Sequence, residues 1–322
     1  MTLQAEYISD RRRLKRRLRL WRAFAMIAFV GALIAVFVSN RQQDGLLFGN
    51  HIARVSISGV ITDDVKQQKL LTKLGKNKRV KAVILRINSP GGTTTGSEAL
   101  FASIRKLSKQ KPVVAVLGTV AASGGYIAAL GADYIVARGN TITGSIGVIF
   151  QWAQVTELLG KIGVKMETVK SGPLKGQPSP FTVTTEEARK AVEEMVKDSF
   201  EWFVGLVSDR RPIDLVQARI LADGRIYTGR IAAKNKLVDE VGGEEVALKW
   251  LQKKHRIKPG IKIVDWQANR TDDFGFGSYI GRAILQALGL DTLFGNLVLA
   301  GKALKPERLS LDGLISVWQP ER

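Results

Sequence analysis

Three short segments carry residues that could do chemistry together. In Ala121-Ala122-Ser123-Gly124-Gly125-Tyr126, a serine sits among very small neighbours after an apolar, strand-like run and ahead of the helix-compatible stretch 126–130. A tight strand-to-helix turn there would expose the hydroxyl and set a helix N-terminus against developing negative charge. Ala121 replaces the first glycine of a Gly-x-Ser-x-Gly elbow, and the same hexapeptide also reads as a plain helix N-cap. Asn88-Ser89-Pro90-Gly91-Gly92-Thr93 follows another apolar run, and its paired glycines would let backbone N–H groups approach a ligand as an oxyanion hole, or simply make a turn. A serine nucleophile also needs a base. Only two histidines are present, His51 and His255, and neither is near these motifs. A lysine can take the role if its pKa falls from about 10.4 toward 7 or 8, through burial and hydrogen bonding. The loop Lys170-Ser171-Gly172-Pro173-Leu174-Lys175-Gly176 offers such a residue, although among 49 lysines and arginines position alone does not select Lys175.

The elements that must position these segments alternate between strand-like and helix-like, the pattern of an α/β domain with largely parallel pairing. Strands are expected at 52–58, 80–88, 112–118, 133–136 and 164–169, and amphipathic helices at 64–74 and 97–108. A long helix is expected from Thr184, where Thr184 and Glu187 have capping-box spacing ahead of Val192, Met195, Val196, Phe203 and Val207. Further helices are expected at 212–221 and 244–254. The reactive segments then lie at the carboxyl ends of strands, where sites assemble in such folds.

Composition narrows the chemistry further. The 322 residues include no cysteine, which excludes disulfides, thiol nucleophiles and thiolate metal sites, and two histidines leave little for a zinc centre. No cofactor is implied. The net charge of +20 suggests nucleic acid at first sight. Part of the excess, however, sits in one short arm, with Arg11, Arg12, Arg13, Lys15, Arg16, Arg17, Arg19 and Arg22 against Glu6 and Asp10, and the rest is interspersed with acids. Anionic lipid fits this arm better than nucleic acid. The arm precedes an uncharged apolar run from Ala23 to Val38, long enough with Leu20, Trp21 and a snorkelling Arg22 to approach the roughly 17 to 25 residues of a spanning helix. The positive-inside rule keeps the N-terminus in the cytoplasm and sends the remainder outward. The run ends in Val36-Phe37-Val38, too bulky for a signal-peptide cleavage site, so an uncleaved anchor is expected. Residues 1–22 are thus read as a basic cytoplasmic arm, 23–39 as the anchor, 40–50 as a linker, 51–258 as the catalytic domain and 259–322 as a C-terminal tail or small extension.

Several motifs in order resemble the signal peptide peptidase A family, Ser-Lys serine peptidases with a Clp/crotonase-like fold. They are Ser89-Pro90-Gly91-Gly92, Ala122-Ser123-Gly124-Gly125-Tyr126, Thr143-Gly144-Ser145-Ile146-Gly147-Val148, Lys170-Ser171-Gly172 with Lys175, and Ala222-Asp223-Gly224-Arg225-Ile226-Tyr227. The resemblance covers most of residues 50–255 and follows the short, single-repeat form. It implies Ser123 as nucleophile, Lys175 as general base, Ser145 as the residue that hydrogen-bonds the base, and Gly91 and Gly124 as backbone donors of the oxyanion hole. It also implies a ring-shaped homo-oligomer in which serine and lysine come from neighbouring protomers. The implied substrates are hydrophobic peptides such as cleaved signal peptides, met on the outer face of a bacterial inner membrane. A crotonase-like acyl-CoA enzyme and a non-catalytic membrane scaffold remain alternatives.

Overall fold

The computed structural model describes residues 49–268 and 314–317, together with 17, 20–22 and 26–27. The chain divides into two units at residue 50. The expected arm, anchor and most of the linker lie outside the described residues, apart from the few helical positions just named. Among the described residues no helix is long and apolar enough to cross a membrane.

The second unit is built on a mostly parallel sheet. Its strands are β1 (His51–Ser58), β2 (Val80–Ser89), β4 (Val113–Ala122), β5 (Tyr134–Ala137), β9 (Glu240–Val241) and β10 (Lys262–Trp266), in the order β10-β1-β2-β4-β5-β9. Strand β6 (Ile142–Gly144) pairs with the far end of β4, and β8 (Ile226–Thr228) runs antiparallel beside β6. Alternation along each strand divides the core into two layers. On one face Ala53, Val55, Val83, Leu85, Val113 and Ala115 pack under the helices α1 (Val65–Lys76), α2 (Thr94–Ser108), α3 (Gly124–Leu130) and α5 (Glu186–Arg210). On the other face Ile52, Ala82, Ile84, Val114 and Val116 meet Ala247 and Leu251 of α8 (Glu244–His255). The remaining helices are α4 (Thr156–Lys161), α6 (Leu215–Leu221) and α7 (Gly229–Lys234). Three short strands, β3 (Gly91–Thr93), β7 (Ile149–Phe150) and β11 (Leu314–Val317), form a second sheet in the order β3-β11-β7.

Sequence and structure differ in several places. Residues 164–169, expected as a strand, are exposed loop, and among the described residues they pair with no strand. The long helix is capped by Thr185, whose hydroxyl accepts from the Ala188 N–H, while the Thr184 hydroxyl accepts from Trp152 Nε1 at 3.1 Å. One residue decides which threonine caps, and a tertiary contact settled it. Beyond residue 258, β10 forms the edge of the main sheet and β11 the middle of the small one.

Candidate active site

The register of two strands brings two serines together. In the parallel pairing of β4 and β6, Ala122 lies opposite Gly144, so the next residues, Ser123 and Ser145, leave the sheet side by side. The Thr143 hydroxyl donates to the Ala121 carbonyl at 2.7 Å, and the Ser123 N–H donates to the Gly144 carbonyl at 2.8 Å, so the pair is tied on both sides of the register. Both serines have positive φ, 53° at Ser123 and 49° at Ser145. A side chain in this region is strained, and such strain persists where the surrounding structure imposes it, often at functional sites. At Ser123, with ψ −119°, it makes the sharp strand-to-helix turn. Ser123 is 1% exposed and occupies the N-cap of α3 but makes no side-chain capping hydrogen bond, so the plain N-cap reading does not hold.

Helix α3 is fixed from several directions. Gly125 comes so close to the Ser89 carbonyl that a Cβ there would lie 2.6 Å from the oxygen, which is how the helix start approaches the Gly91 turn. The Tyr126 hydroxyl donates to the Leu237 carbonyl at 2.7 Å, and burial pushes this phenol's pKa up, so it remains a donor. Arg210 donates from Nε to the Leu130 carbonyl and from Nη2 to the Ala132 carbonyl, both at 2.9 Å, at the other end of the helix. The Leu237 turn is held in its turn by Arg211, which donates to the Lys236 carbonyl and to both carboxylate oxygens of Asp239.

The Gly91 turn stands next to α3, and its φ of 118° is open only to glycine. Its N–H donates to Ser89 Oγ at 3.1 Å and its carbonyl accepts from the Ile61 N–H at 2.8 Å. Gly124 is the first residue of α3, where helix amides have no carbonyl of their own helix to bond.

Ser123 and Ser145 open into a cavity of about 730 Å³, walled by Ile146, Val148, Ile149, Phe150 and Trp152 and by Val192, Val196 and Phe200 of α5. Arg189, Glu193 and Lys197 also line it, four residues apart along that helix. These charged residues were missed in the sequence. The signal was the apolar stripe of α5, which serves two surfaces: Val192 and Val196 face the cavity while Phe203, Val204 and Val207 are buried in the core. Lys175 is exposed in the 170–180 loop and does not line the cavity. Within one chain the structure brings Ser123, Ser145, Gly91 and Gly124 together and leaves Lys175 apart.

Residues 105–258 match the model of peptidase family S49, and residues 48–140 that of Clp protease. A protein named as a protease in Methanocaldococcus jannaschii is 35% identical over 287 residues, which is 84% of this chain and 92% of that one. The chain belongs to peptidase family S49. A protein named as a signal peptide peptidase in Enterococcus faecium is 36% identical over 264 residues, 77% of this chain and 76% of its own length. A chloroplast serine protease of Arabidopsis thaliana is 32% identical over 210 residues, 64% of this chain but 30% of that longer protein. This S49 member is a serine peptidase with a Clp protease-like α/β domain, and peptides are its substrates. The acyl-CoA and scaffold readings give way to that one.

Proposed function

We propose that the chain is a membrane-anchored endopeptidase that cuts hydrophobic peptides, such as remnant signal peptides, with Ser123 as nucleophile and Lys175 of a neighbouring protomer as general base. The observation that carries this reading is the strained turn that holds Ser123 beside Ser145 in the wall of a largely apolar cavity. Ser123 Oγ attacks the scissile carbonyl while its proton passes to neutral Lys175 Nζ, oriented by the Ser145 hydroxyl. The amides of Gly124 and Gly91 stabilise the tetrahedral oxyanion, and for Gly91 this means exchanging Ser89 Oγ for a charged, stronger acceptor. Collapse expels the amine, which takes the proton from the lysine, and water then frees the acyl group by the same route in reverse.

A lysine loses its proton readily only when stripped of water. Burial of the exposed 170–180 loop at a contact between protomers in a ring would provide that, and the exposed apolar residues Val164, Met166, Val169 and Leu174 near it favour such a contact. The basic arm and the apolar run after it support an anchor in a bacterial inner membrane, with the N-terminus cytoplasmic, the arm against anionic lipid and the catalytic domain outside.

The reading is tested with a serine-directed acylating probe on the purified chain, the adduct being located by mass spectrometry. One adduct is expected, on Ser123, and none in Ser123→Ala. An adduct on Ser145 alone would move the nucleophile. One observation favours a second reading: Lys197 lines the Ser123 cavity in the same chain. If Lys197 is a wall residue, Lys197→Ala changes kcat by less than about 10-fold, whereas loss of a general base costs about 100-fold or more. Steady-state kinetics on a short peptide decides between the two.

A further inference from the structure

We propose that the edge of the main sheet at which its parallel strands begin, opposite the edge that carries Ser123, is a docking surface for anionic phospholipid. The proposal rests on the reading of the chain as membrane-anchored and adds a lipid contact made by the catalytic domain itself. Strands β10, β1, β2 and β4 are parallel neighbours and begin at Lys262, His51, Val80 and Val113. The helices that return the chain to these starts end at the same edge: α1 at Lys76 before β2, α2 at Ser108 before β4, and α8 at His255 before β10. The ends of α1 and α2 are tied to each other. Lys111 Nζ donates to the Asn77 and Val80 carbonyls, both at 2.6 Å, and a Cβ on Gly75 would lie 2.4 Å from Gln110 Oε1. His51 stands between the two basic sides of the edge. Its N–H donates to the Arg79 carbonyl at 3.0 Å, and Lys262 lies opposite it in the pairing of β1 with β10.

Charge beyond the basic arm looks interspersed along the sequence, and the topology gathers it here. No aspartate or glutamate occurs between Asp64 and Glu98, between Glu98 and Asp133, or between Glu245 and Asp265. On one side of His51 these segments expose Lys76, Lys78, Arg79 and Lys81, with Lys106 and Lys109 from the end of α2. On the other side they expose Lys254, Arg256, Lys258 and Lys262. Asp133, at the start of β5, is already engaged by Arg105 at 3.4 Å. Cations in the last turn of a helix answer its dipole, which accounts for Lys76 and Lys106. It does not account for Lys78, Arg79, Lys81, Arg256, Lys258 and Lys262, which lie beyond the helix ends. A face of one sign attracts a surface of the other. The course of the chain selects lipid over nucleic acid, because β1 begins at His51, directly after the linker expected at 40–50, so the tether joins the domain at this edge. Ser123 follows the ten residues of β4, so lipid held at the strand starts lies roughly 30 Å from the nucleophile. A peptide is then cut only after it has left the bilayer.

The test uses the full-length chain, whose lack of cysteine allows a single one to be labelled. Lys109→Cys marks the basic edge, and Val65→Cys marks the exposed opposite end of α1. Each labelled chain is reconstituted into vesicles of phosphatidylcholine and phosphatidylglycerol that contain a lipid with a nitroxide headgroup as quencher. Quenching at position 109 should exceed that at 65 by about 3-fold or more, and should fall to the level at 65 in phosphatidylcholine alone or at about 0.5 M salt. The same fall is expected when Lys78→Glu, Lys81→Glu and Lys258→Glu are added; turnover of a soluble peptide in detergent shows that this variant is folded, and the lipid and salt comparisons need no such change. Equal quenching at the two positions, or quenching at 109 that ignores phosphatidylglycerol, overturns the proposal. So does an unquenched position 109 in a chain that, in detergent, retains a short DNA duplex and loses it with the three reversals, which would make the surface one for nucleic acid. Flotation reports on the anchor separately. A chain that stays with vesicles of either composition in high salt is anchored, whereas one released by salt overturns the anchored reading and leaves the quenching to report on the surface.

Discussion

Co-expressing Ser123→Ala and Lys175→Ala chains should restore about a quarter of the parent activity to assemblies that contain both, although each variant alone falls by about 1,000-fold or more. In the single chain, Ser123 is buried and lines the cavity, whereas Lys175 is exposed and is not part of its lining. If each site takes its serine from one protomer and its lysine from the next, a Lys175→Ala chain beside a Ser123→Ala chain forms one intact site. Random mixing of equal amounts puts the two in the productive order at about one contact in four in a closed ring. Differently tagged chains purified through both tags supply the sample, and initial rates on a peptide give the result. A mixed assembly as inactive as either parent variant would show that both groups act within one chain.

The second large effect falls on stability. Asp239→Ala should destabilise the domain by about 3 to 5 kcal/mol, seen as a urea midpoint lowered by about 1–2 M at unchanged slope. The carboxylate faces Arg211, whose side chain is 6% exposed, and the two are 2.9 Å apart. Asp239 also accepts from the Ile135 N–H at 2.7 Å. Removing it leaves a buried guanidinium without its counter-charge and a strand amide without its acceptor. The damage reaches the site, because Arg211 braces the turn whose Leu237 carbonyl holds Tyr126, three residues from Ser123. The double variant Arg211→Met with Asp239→Leu should recover more than half of the loss, since apolar replacement avoids the stranded charge. A midpoint within about 0.2 M of the parent protein would show that the pair is not structural.

Much of the central sheet was legible in the sequence, because β1, β2 and β4 are dense in Val, Ile and Leu and bounded by turn residues. The spans of α1 and α8 were legible too: the expected helices 64–74 and 244–254 correspond to Val65–Lys76 and Glu244–His255. The strands of the small sheet were not. β3, β7 and β11 have two to four residues each, too few to show a period, and they exist because of partners far away in the chain. The same holds for the site. Ser123 and the Gly91 turn stood out as motifs, and the resemblance supplied Ser145 and Lys175. That Ser145 stands next to Ser123 follows from the pairing of Ala122 with Gly144, a fact of tertiary register that a spacing of 22 residues does not announce. The wall made by Arg189, Glu193 and Lys197 was hidden because one helix face serves cavity and core in succession.

That shared register makes the two hydroxyls inseparable. A deletion of one residue anywhere between Asn140 and Gly144 would leave the ribbon free to pair again one step out of phase, swapping which side chain emerges at its tip. The fold would survive such a slip and the catalyst would not, so what the peptidase guards along this stretch is a count.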